Sequence, residues 1–380
     1  MEANLKKRVM IIGGGYAGVS LLHKLKNEIG IELILVDKSQ THLLQTHLHK
    51  YISGYYSKDD ITFNHEKYCK ENSIEFICEE ISNINYKDNY VISRENILYH
   101  YDYLIIATGS VSMFPSQIEN VIEYTKDIKK IDNLDFYRNK FQKILDSHDT
   151  NRSVLVVGGG VSGLQIACEI AYTIKSKGLN KDNIQVTLIE GMDTILPGMD
   201  SFLIEKSIQR CAELDIKVIN NLFASKILED SVILSNGDEI SYDMLLFVIG
   251  AIGNNIISHD ENIQENPRNQ LIVDDYYKVK PYDNVFAIGD IVQAIDSNTN
   301  DFQAPTAQAS RMQAELTAKN ILKDINGDTL ISNNISNKGI LIDLGGPNCA
   351  IGRVLNINLS GKIALWLKKL IYSLHTKKFN

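Results

Sequence analysis

Cysteine is scarce in this 380-residue sequence, and no two cysteines form a Cys-x-x-Cys motif. An odd, scattered set of this kind excludes a disulfide scaffold and a cysteine-ligated zinc site, and it is typical of a reducing cytoplasm. The five cysteines are Cys69, Cys78, Cys168, Cys211 and Cys349.

Long apolar runs and an excess of positive charge are also absent. No stretch reaches the roughly 18 consecutive apolar residues that a membrane-spanning helix needs. The formal net charge of −8 argues against nucleic acid as the main partner. Hydrophobic residues make up 44% of the chain and charged residues 23%, which is typical of a globular protein. The length predicts two or three domains.

A glycine-rich turn lies between two apolar segments near the start of the chain. Residues 9–12 precede Gly13-Gly14-Gly15-Tyr16-Ala17-Gly18, a helical pattern follows over 19–29, and the strand pattern 31–37 ends at Asp37. In a GxGxxG turn the glycines allow a tight bend, close approach of a pyrophosphate and close packing of helix on strand. The helix N-terminus attracts phosphate, and the terminal carboxylate can bind ribose hydroxyls. This order predicts a dinucleotide-binding unit.

The same pattern recurs in the second half of the chain. The turn Gly158-Gly159-Gly160-Val161-Ser162-Gly163 begins 145 residues after the first, and its unit has a second strand ending at Glu190. Segments 101–109 and 242–250 also match each other, at an offset of 141 residues. Two matched features at nearly one offset indicate an internal duplication, which predicts two bound dinucleotides.

Residues 38–64 form an irregular, histidine-rich loop that contains His42, His47 and His49, and His65 follows it. The spacing of these histidines fits no compact set of metal ligands. We therefore expect no metal site.

The two glycine turns, the segment Ala107-Thr108-Gly109 and the strand Phe286-Ala287-Ile288-Gly289-Asp290 resemble the two-dinucleotide flavoprotein reductases of the glutathione-reductase type. The resemblance covers nearly the whole chain. It implies an α/β fold with two Rossmann-like domains, the first binding FAD and the second binding NADH. The implied FAD-site residues are Gly13, Gly15, Tyr16, Ala17, Gly18, Asp37, Lys38, Thr108, Gly109, Gly289, Asp290 and Ala307, and the implied NADH-site residues are Gly158, Gly160, Gly163, Glu190 and Gly250.

Within that superfamily, the loop at 36–61 and the segment 304–313 resemble type II NADH dehydrogenases. No cysteine precedes Cys69, which excludes the paired redox cysteines of disulfide reductases. The resemblance implies an NADH:quinone oxidoreductase of the respiratory chain that does not pump protons. Hydride passes from NADH to FAD, and two electrons then pass to a membrane quinone. A helix of this family lies at the quinone site, which implies that Gln308 and Met312 bind quinone.

The sequence also departs from the family pattern. Gln165 stands where the family usually has glutamate, and Met312 stands at the second glutamine of the quinone motif. The family places a C-terminal lysine near the flavin, for which Lys368 and Lys369 are both candidates. Catalysis is then flavin-mediated, with Gln165 as a further candidate residue and no protein nucleophile.

Two other functions remain open. A sulfide:quinone oxidoreductase would need cysteines beside the flavin, for which Cys168 and Cys349 are the candidates. A flavin-bearing sensor with weak catalysis is the other.

The last 22 residues, 359–380, carry five lysines and no acidic residue. A basic helix with one apolar face, too short to span a bilayer, predicts peripheral attachment to the cytoplasmic face of the inner membrane. The apolar face of this helix consists of Ile363, Trp366, Leu367, Leu370, Ile371 and Leu374. Packing of the helix on its own domain or in a homodimer is the alternative.

These patterns together predict the domain organisation. We expect an FAD-binding domain at 1–112 and 252–330, an NADH-binding domain at 113–251 and a membrane-associating region at 331–380.

Overall fold

The structure is a computed structural model that describes residues 6–147, 149–254 and 260–376. Its first parallel sheet has five strands, and the strand that precedes the first glycine turn is central. Runs of valine, isoleucine and leucine form these strands because both faces of the sheet are covered. In spatial order the strands are Glu75–Ile77, Ile31–Val36, Lys7–Ile12, Tyr103–Ile106 and Val285–Ala287.

A second parallel sheet repeats the order of the first four strands. The strand before the second glycine turn again lies between the strand that ends in an acid and the strand that returns from the antiparallel insertion. This shared order agrees with the duplication predicted from the sequence. The strands are Lys217–Ile219, Ile184–Ile189, Arg152–Val157 and Met244–Phe247.

Each unit carries a three-stranded antiparallel sheet between its third and fourth parallel strands. The sequence Asn236-Gly237-Asp238 predicts a hairpin turn. In the structure this turn joins two of these strands, with Gly237 at φ +90°. The sheets consist of Ile81–Asn85, Tyr90–Ser93 and Leu98–His100 in the first unit, and of Ala224–Ile227, Ser231–Leu234 and Glu239–Ser241 in the second.

The helices after the two glycine turns are Tyr16–Leu25 and Val161–Ser176. The first packs against the helix Ala307–Ile325. Among the described helices, none combines the length and the apolar content that crossing a bilayer requires. The remaining helices are Gln45–His47 (a 3-10 turn), Leu48–Ile52, His65–Glu71, Val121–Tyr124, Ile131–Asp146, Ser201–Glu213 and Gly361–Thr376.

The chain passes from the first unit to the second and back again. The two connecting segments, Ser110–Ser112 and Ala251–Gly253, pair as antiparallel strands. Three further strands near the C-terminus form an antiparallel sheet that carries the last helix. We call this sheet and the helix Gly361–Thr376 the tail. The tail strands are Gly339–Asp343, Ala350–Val354 and Ile357–Ser360, and two short pairs elsewhere are Thr41–Leu43 with Thr62–Asn64 and Leu271–Ile272 with Val292–Gln293.

The description of residues 38–64 as an irregular loop is wrong in part. Residues Leu48–Ile52 form a helix whose apolar side chains are buried in the core of the second unit. The polar residues around this segment hide its short apolar pattern in the sequence. The apolar residues at 74–84 predict one strand, whereas the structure has two, Glu75–Ile77 and Ile81–Asn85. The polar composition of residues 254–270 predicts a surface loop, and residues 255–259 of this segment lie outside the described residues.

We expect Gly163→Ala to destabilise the protein by about 1 to 3 kcal/mol, because overpacking forces the backbone to move. A Cβ at Gly163 would overlap the carbonyl oxygen of Gly158 and push the helix off its strand. Urea unfolding measures the change. Gly191→Ala is the control, since its Cβ would meet only the Phe223 Cβ, at 3.6 Å. Equal stability losses in the two variants would contradict the close helix–strand packing.

Candidate functional site

The first glycine turn leaves its helix N-terminus open. Gly13 adopts φ +105° and lies so close to the Ala107 carbonyl that no side chain fits there. Gly15 caps the helix without a side-chain hydrogen bond, and the space where its Cβ would point is empty. Free N–H groups beside empty space form a cradle that suits an anion such as pyrophosphate.

Asp37 fixes the conformation of this turn through hydrogen bonds to its backbone. Its two carboxylate oxygens accept hydrogen bonds from the Gly14 N–H at 2.5 Å and the Ser39 N–H at 2.7 Å. His65 lies against the same turn, with Nε2 2.9 Å from the Gly14 carbonyl oxygen. The sequence predicts a ribose-binding acid here, and the structure adds that the acid also fixes the turn.

The second turn has the same construction. Gly158 adopts φ +112°, and Gly160 again faces empty space at an uncapped helix N-terminus. The Glu190 carboxylate accepts from the Gly159 N–H at 2.7 Å and the Met192 N–H at 2.9 Å. The acid and the turn therefore form one rigid element in both units.

The edge of the first sheet beside Gly289 offers further polar groups. The Thr108 hydroxyl is buried and has no hydrogen-bond partner within the described protein. Asp290 accepts from the Ser110 hydroxyl at 2.8 Å, and the Lys129 ammonium lies 3.8 Å from the same carboxylate oxygen. An orphaned hydroxyl beside the first turn fits a polar ligand such as a flavin dinucleotide, because buried hydroxyls are normally paired. The sequence did not identify Lys129.

The helix proposed for quinone begins at Ala307, capped by the Thr306 side chain. Gln308 accepts from the Lys338 N–H at 3.2 Å, and Met312 is half-buried against the core of the first unit. The neighbouring Gln313, which the sequence did not single out as a contact, accepts from the Gly289 N–H at 2.6 Å.

Lys38, expected at the FAD site, pairs on the surface with Glu80 at 3.0 Å. Gly109 and Gly250 both adopt positive φ at the ends of the matched strands.

A buried cluster of charges lies where the second-unit helix, the helix Leu48–Ile52 and the tail meet. Asp343 receives His49 Nε2 and Lys368 Nζ on one carboxylate oxygen, each at 3.0 Å. We call these three residues the Asp343 triad. Lys368 faces inward, with 15% of its side chain exposed, whereas Lys369 faces solvent. Of the two candidate lysines, the structure places only Lys368 in a buried site.

Gln165 joins the Asp343 triad. With its amide oriented so that both atoms are satisfied, its oxygen accepts from Lys368 Nζ at 2.9 Å and from the Asp343 N–H at 3.1 Å. A second buried pair lies beside it, Lys50 with Glu169 at 2.5 Å. The sequence missed this cluster because its members come from distant segments: His49 and Asp343, for example, are 294 residues apart.

Burial and charge set the protonation of the triad. Burial lowers the pKa of the His49 imidazole below its ordinary value, which keeps the ring neutral, although Asp343 opposes this. Burial alone would raise the pKa of Asp343, but Lys368 and His49 outweigh it and hold that pKa well below its usual range. Burial also lowers the pKa of Lys368.

Aromatic residues close the space between the first turn and the tail. The Tyr16 hydroxyl lies 2.9 Å from the Thr46 hydroxyl, and the rings of His47 and Tyr372 have centroids 3.8 Å apart. Burial raises the pKa of Tyr16 and lowers that of His47 to about 3, so both side chains are uncharged at neutral pH.

Known proteins are similar to this chain over most of its length. The model of the family described as "Pyridine nucleotide-disulphide oxidoreductase" matches residues 7–314. A type II NADH:quinone oxidoreductase of Haemophilus influenzae is 26% identical, over 97% of this chain and 93% of that protein. One from Staphylococcus epidermidis is 25% identical, over 96% and 94%.

Solved structures share the fold. NDH2 from Plasmodium falciparum in complex with NADH has a TM-score of 0.83 at 21% identity, covering 97% of this chain and 94% of that one. The sulfide:quinone oxidoreductase of Aquifex aeolicus has a TM-score of 0.80 at 21% identity, covering 97% and 92%. The family match spans both glycine turns and most of the chain, and this protein therefore belongs to the pyridine nucleotide-disulphide oxidoreductase family.

Proposed function

We propose that this chain is an FAD-dependent NADH:quinone oxidoreductase attached to a membrane surface. The observation that carries the proposal is the pair of equivalent turns, each with an acid bonded to its backbone and an open helix N-terminus. The resemblance of the whole chain to type II NADH:quinone oxidoreductases supports it. When bound, the flavin supplies the redox chemistry, and the protein binds and orients the reactants.

In this proposal each unit holds one dinucleotide. The open turn at Gly15, the orphaned Thr108 hydroxyl and Asp290 hold FAD in the domain formed by 1–112 and 252–330. The turn at Gly160 and the acid Glu190 hold NADH in the domain 113–251. Gln308 and Met312 line the quinone site, and they lie on the same helix as Gln313, which supports the Gly289 turn.

The sulfide-oxidising alternative is weaker because its chemistry needs reactive thiolates. Cys168 is fully buried and hydrogen-bonds Cys211, and both this contact and burial raise its pKa. Burial also raises the pKa of Cys349. Thiols with raised pKa values are poor nucleophiles at neutral pH.

Anaerobic spectroscopy of the flavin-loaded protein tests the function. We expect NADH to bleach the flavin absorbance and a soluble quinone analogue to restore it. Sulfide should leave the absorbance unchanged. Bleaching by sulfide but not by NADH would establish the sulfide reaction, and failure of quinone to restore the absorbance would support the sensor.

We expect NADH to be preferred over NADPH by roughly tenfold to hundredfold in kcat/KM, which corresponds to about 1 to 3 kcal/mol. The Glu190 carboxylate, fixed by two backbone N–H groups, repels a 2′-phosphate, and the adjacent Gly191, Met192 and Asp193 offer no cation. Steady-state kinetics with both cofactors measures the ratio. Glu190→Gln should lower the ratio of kcat/KM for NADH to kcat/KM for NADPH, and the surface variant Glu213→Gln is the control. Equal kcat/KM values for the two cofactors in the wild type would contradict the role of Glu190.

We further propose that the tail helix attaches the protein to the cytoplasmic face of the inner membrane. Its apolar side chains remain exposed: Ile363 by 67%, Trp366 by 63%, and Leu370 and Ile371 by 40% each. The opposite face, Ala364 and Leu365, packs on the tail sheet. Lys368 does not contribute to this exposed surface, because it pairs with Asp343 inside the protein.

The triple variant Ile363→Ser, Trp366→Ser and Leu370→Ser should release the protein from anionic vesicles. Half-burial of these side chains in lipid contributes about 2 to 4 kcal/mol, or at least roughly thirtyfold in partitioning. Vesicle flotation measures it, and Ile122→Ser is the control, since Ile122 is 75% exposed elsewhere. Unchanged flotation of the triple variant would contradict attachment. If the wild type is a dimer in solution and the triple variant is a monomer, the exposed face belongs to a homodimer interface instead.

A further inference from the structure

Lys129 reaches from the second unit's part of the chain into the site of the first unit. It lies in the segment 113–251, just before the helix Ile131–Asp146. Its ammonium donates to the Ser110 hydroxyl and lies 3.8 Å from the Asp290 carboxylate, and only 18% of its side chain is exposed. An ammonium has three N–H donors, and Ser110 is the one hydrogen-bond acceptor that Lys129 Nζ finds within the described residues. Because lysine is rarely this buried unless it is paired, the remaining donors point to an anionic ligand.

The two partners of Lys129 lie beside the helix that follows the first glycine turn. A Cβ at Gly289 would be 3.0 Å from the Cβ of Ala17, which belongs to the first turn of that helix. Asp290 is the next residue after Gly289, and it accepts from the Ser110 hydroxyl at 2.8 Å. The Lys129 ammonium is therefore part of the same edge of the first sheet as the open helix N-terminus.

A separate carboxylate fixes the backbone that carries Lys129. Oδ1 of Asp127 accepts from the Lys129 N–H at 2.9 Å, and it also accepts from the Ser112 hydroxyl at 2.6 Å and the Ser112 N–H at 3.3 Å. Ser112 belongs to the strand Ser110–Ser112, which leaves the first unit. The loop that carries Lys129 is thus tied to the first unit's site by its backbone as well as by its side chain.

The charges at this edge require a cation when a dinucleotide binds. The pyrophosphate of FAD is negative, and Asp127 and Asp290 bring further negative charge to the same place. Like charges oppose each other more strongly where protein partly excludes water. Lys38, which the resemblance places at the FAD site, pairs with Glu80 on the surface instead. Of these two lysines, only Lys129 lies where it can offset the negative charges.

We propose, on the basis of the FAD-dependent function above, that Lys129 is a further FAD-site residue whose ammonium holds the pyrophosphate and offsets the charge of Asp290. Burial lowers the pKa of Lys129, but Asp290 and Asp127 oppose this effect, and a bound phosphate adds to their opposition. In this assignment FAD contacts both domains, because Lys129 comes from the segment that holds the second dinucleotide.

Lys129→Met removes the charge and keeps much of the length of the side chain. Dilution of the flavin-loaded full chain releases FAD, and the fluorescence of the released flavin gives the Kd. We expect the Kd for FAD to rise about tenfold to hundredfold, the usual effect of losing a charged hydrogen-bond donor. Lys129→Arg should stay within about threefold of the wild type, because a guanidinium also binds phosphate. Lys130→Met is the control, since Lys130 is adjacent and exposed.

Salt and the second ligand separate a charge effect from a folding defect. In roughly 1 M NaCl, where the Debye length is about 3 Å, the ratio of the Kd of Lys129→Met to that of the wild type should fall, because salt screens the lost attraction. Calorimetric titration with NAD⁺ at saturating FAD should give the same Kd in both proteins, although Lys129 belongs to the segment proposed for NADH.

Three results would overturn the role of Lys129. One is a wild-type Kd for FAD in Lys129→Met, and another is a raised Kd whose ratio to the wild-type value does not change with salt. The third is an equal weakening of FAD and NAD⁺ binding, which would mean that the substitution disturbs the fold of the second unit. If the wild type itself binds no FAD, the proposed function fails instead.

Discussion

The hydrogen bonds from each glycine turn to its acid are the interactions on which the rest of the structure depends. Gly14 donates to Asp37 in the first unit, and Gly159 donates to Glu190 in the second. Each bond joins the end of the first strand to the end of the second, so it fixes where the helix begins. With the helix fixed in this way, its N–H groups point into open space, and anion binding needs no further rearrangement.

Local patterns explain why much of this could be predicted from the sequence. Each turn and the strands around it are encoded within about 30 consecutive residues, where the glycine spacing and apolar runs have direct physical meaning. The duplication is visible because two such segments share one pattern. The residue pattern also predicts helices near 134–145 and over 307–321. The helices of the structure, Ile131–Asp146 and Ala307–Ile325, differ from these only at their ends. The prediction of the function relied on resemblance, because the fold alone does not specify an acceptor.

The parts of the site that the sequence did not predict depend on contacts between distant segments. His49 and Asp343 are 294 residues apart, and Lys50 and Glu169 are 119 apart, so no local pattern predicts either pair. Gln165 illustrates the consequence. In the sequence it is only the loss of a carboxylate, but in the fold its amide oxygen accepts hydrogen bonds from the Asp343 N–H and from Lys368 Nζ. The tail helix is a similar case, since periodicity predicts its apolar face but not that Lys368 turns inward.

The central claim, that each unit holds one dinucleotide, is tested most directly by a pair of matched variants. Gly15 and Gly160 both face empty space without positive φ, so valine fits at either position in the unliganded fold. Flavin content and calorimetric titration with NAD⁺ should show that Gly15→Val loses only FAD and that Gly160→Val loses only NAD⁺ binding. Retention of flavin by Gly15→Val, or loss of both ligands in the Gly160→Val variant, would contradict the account.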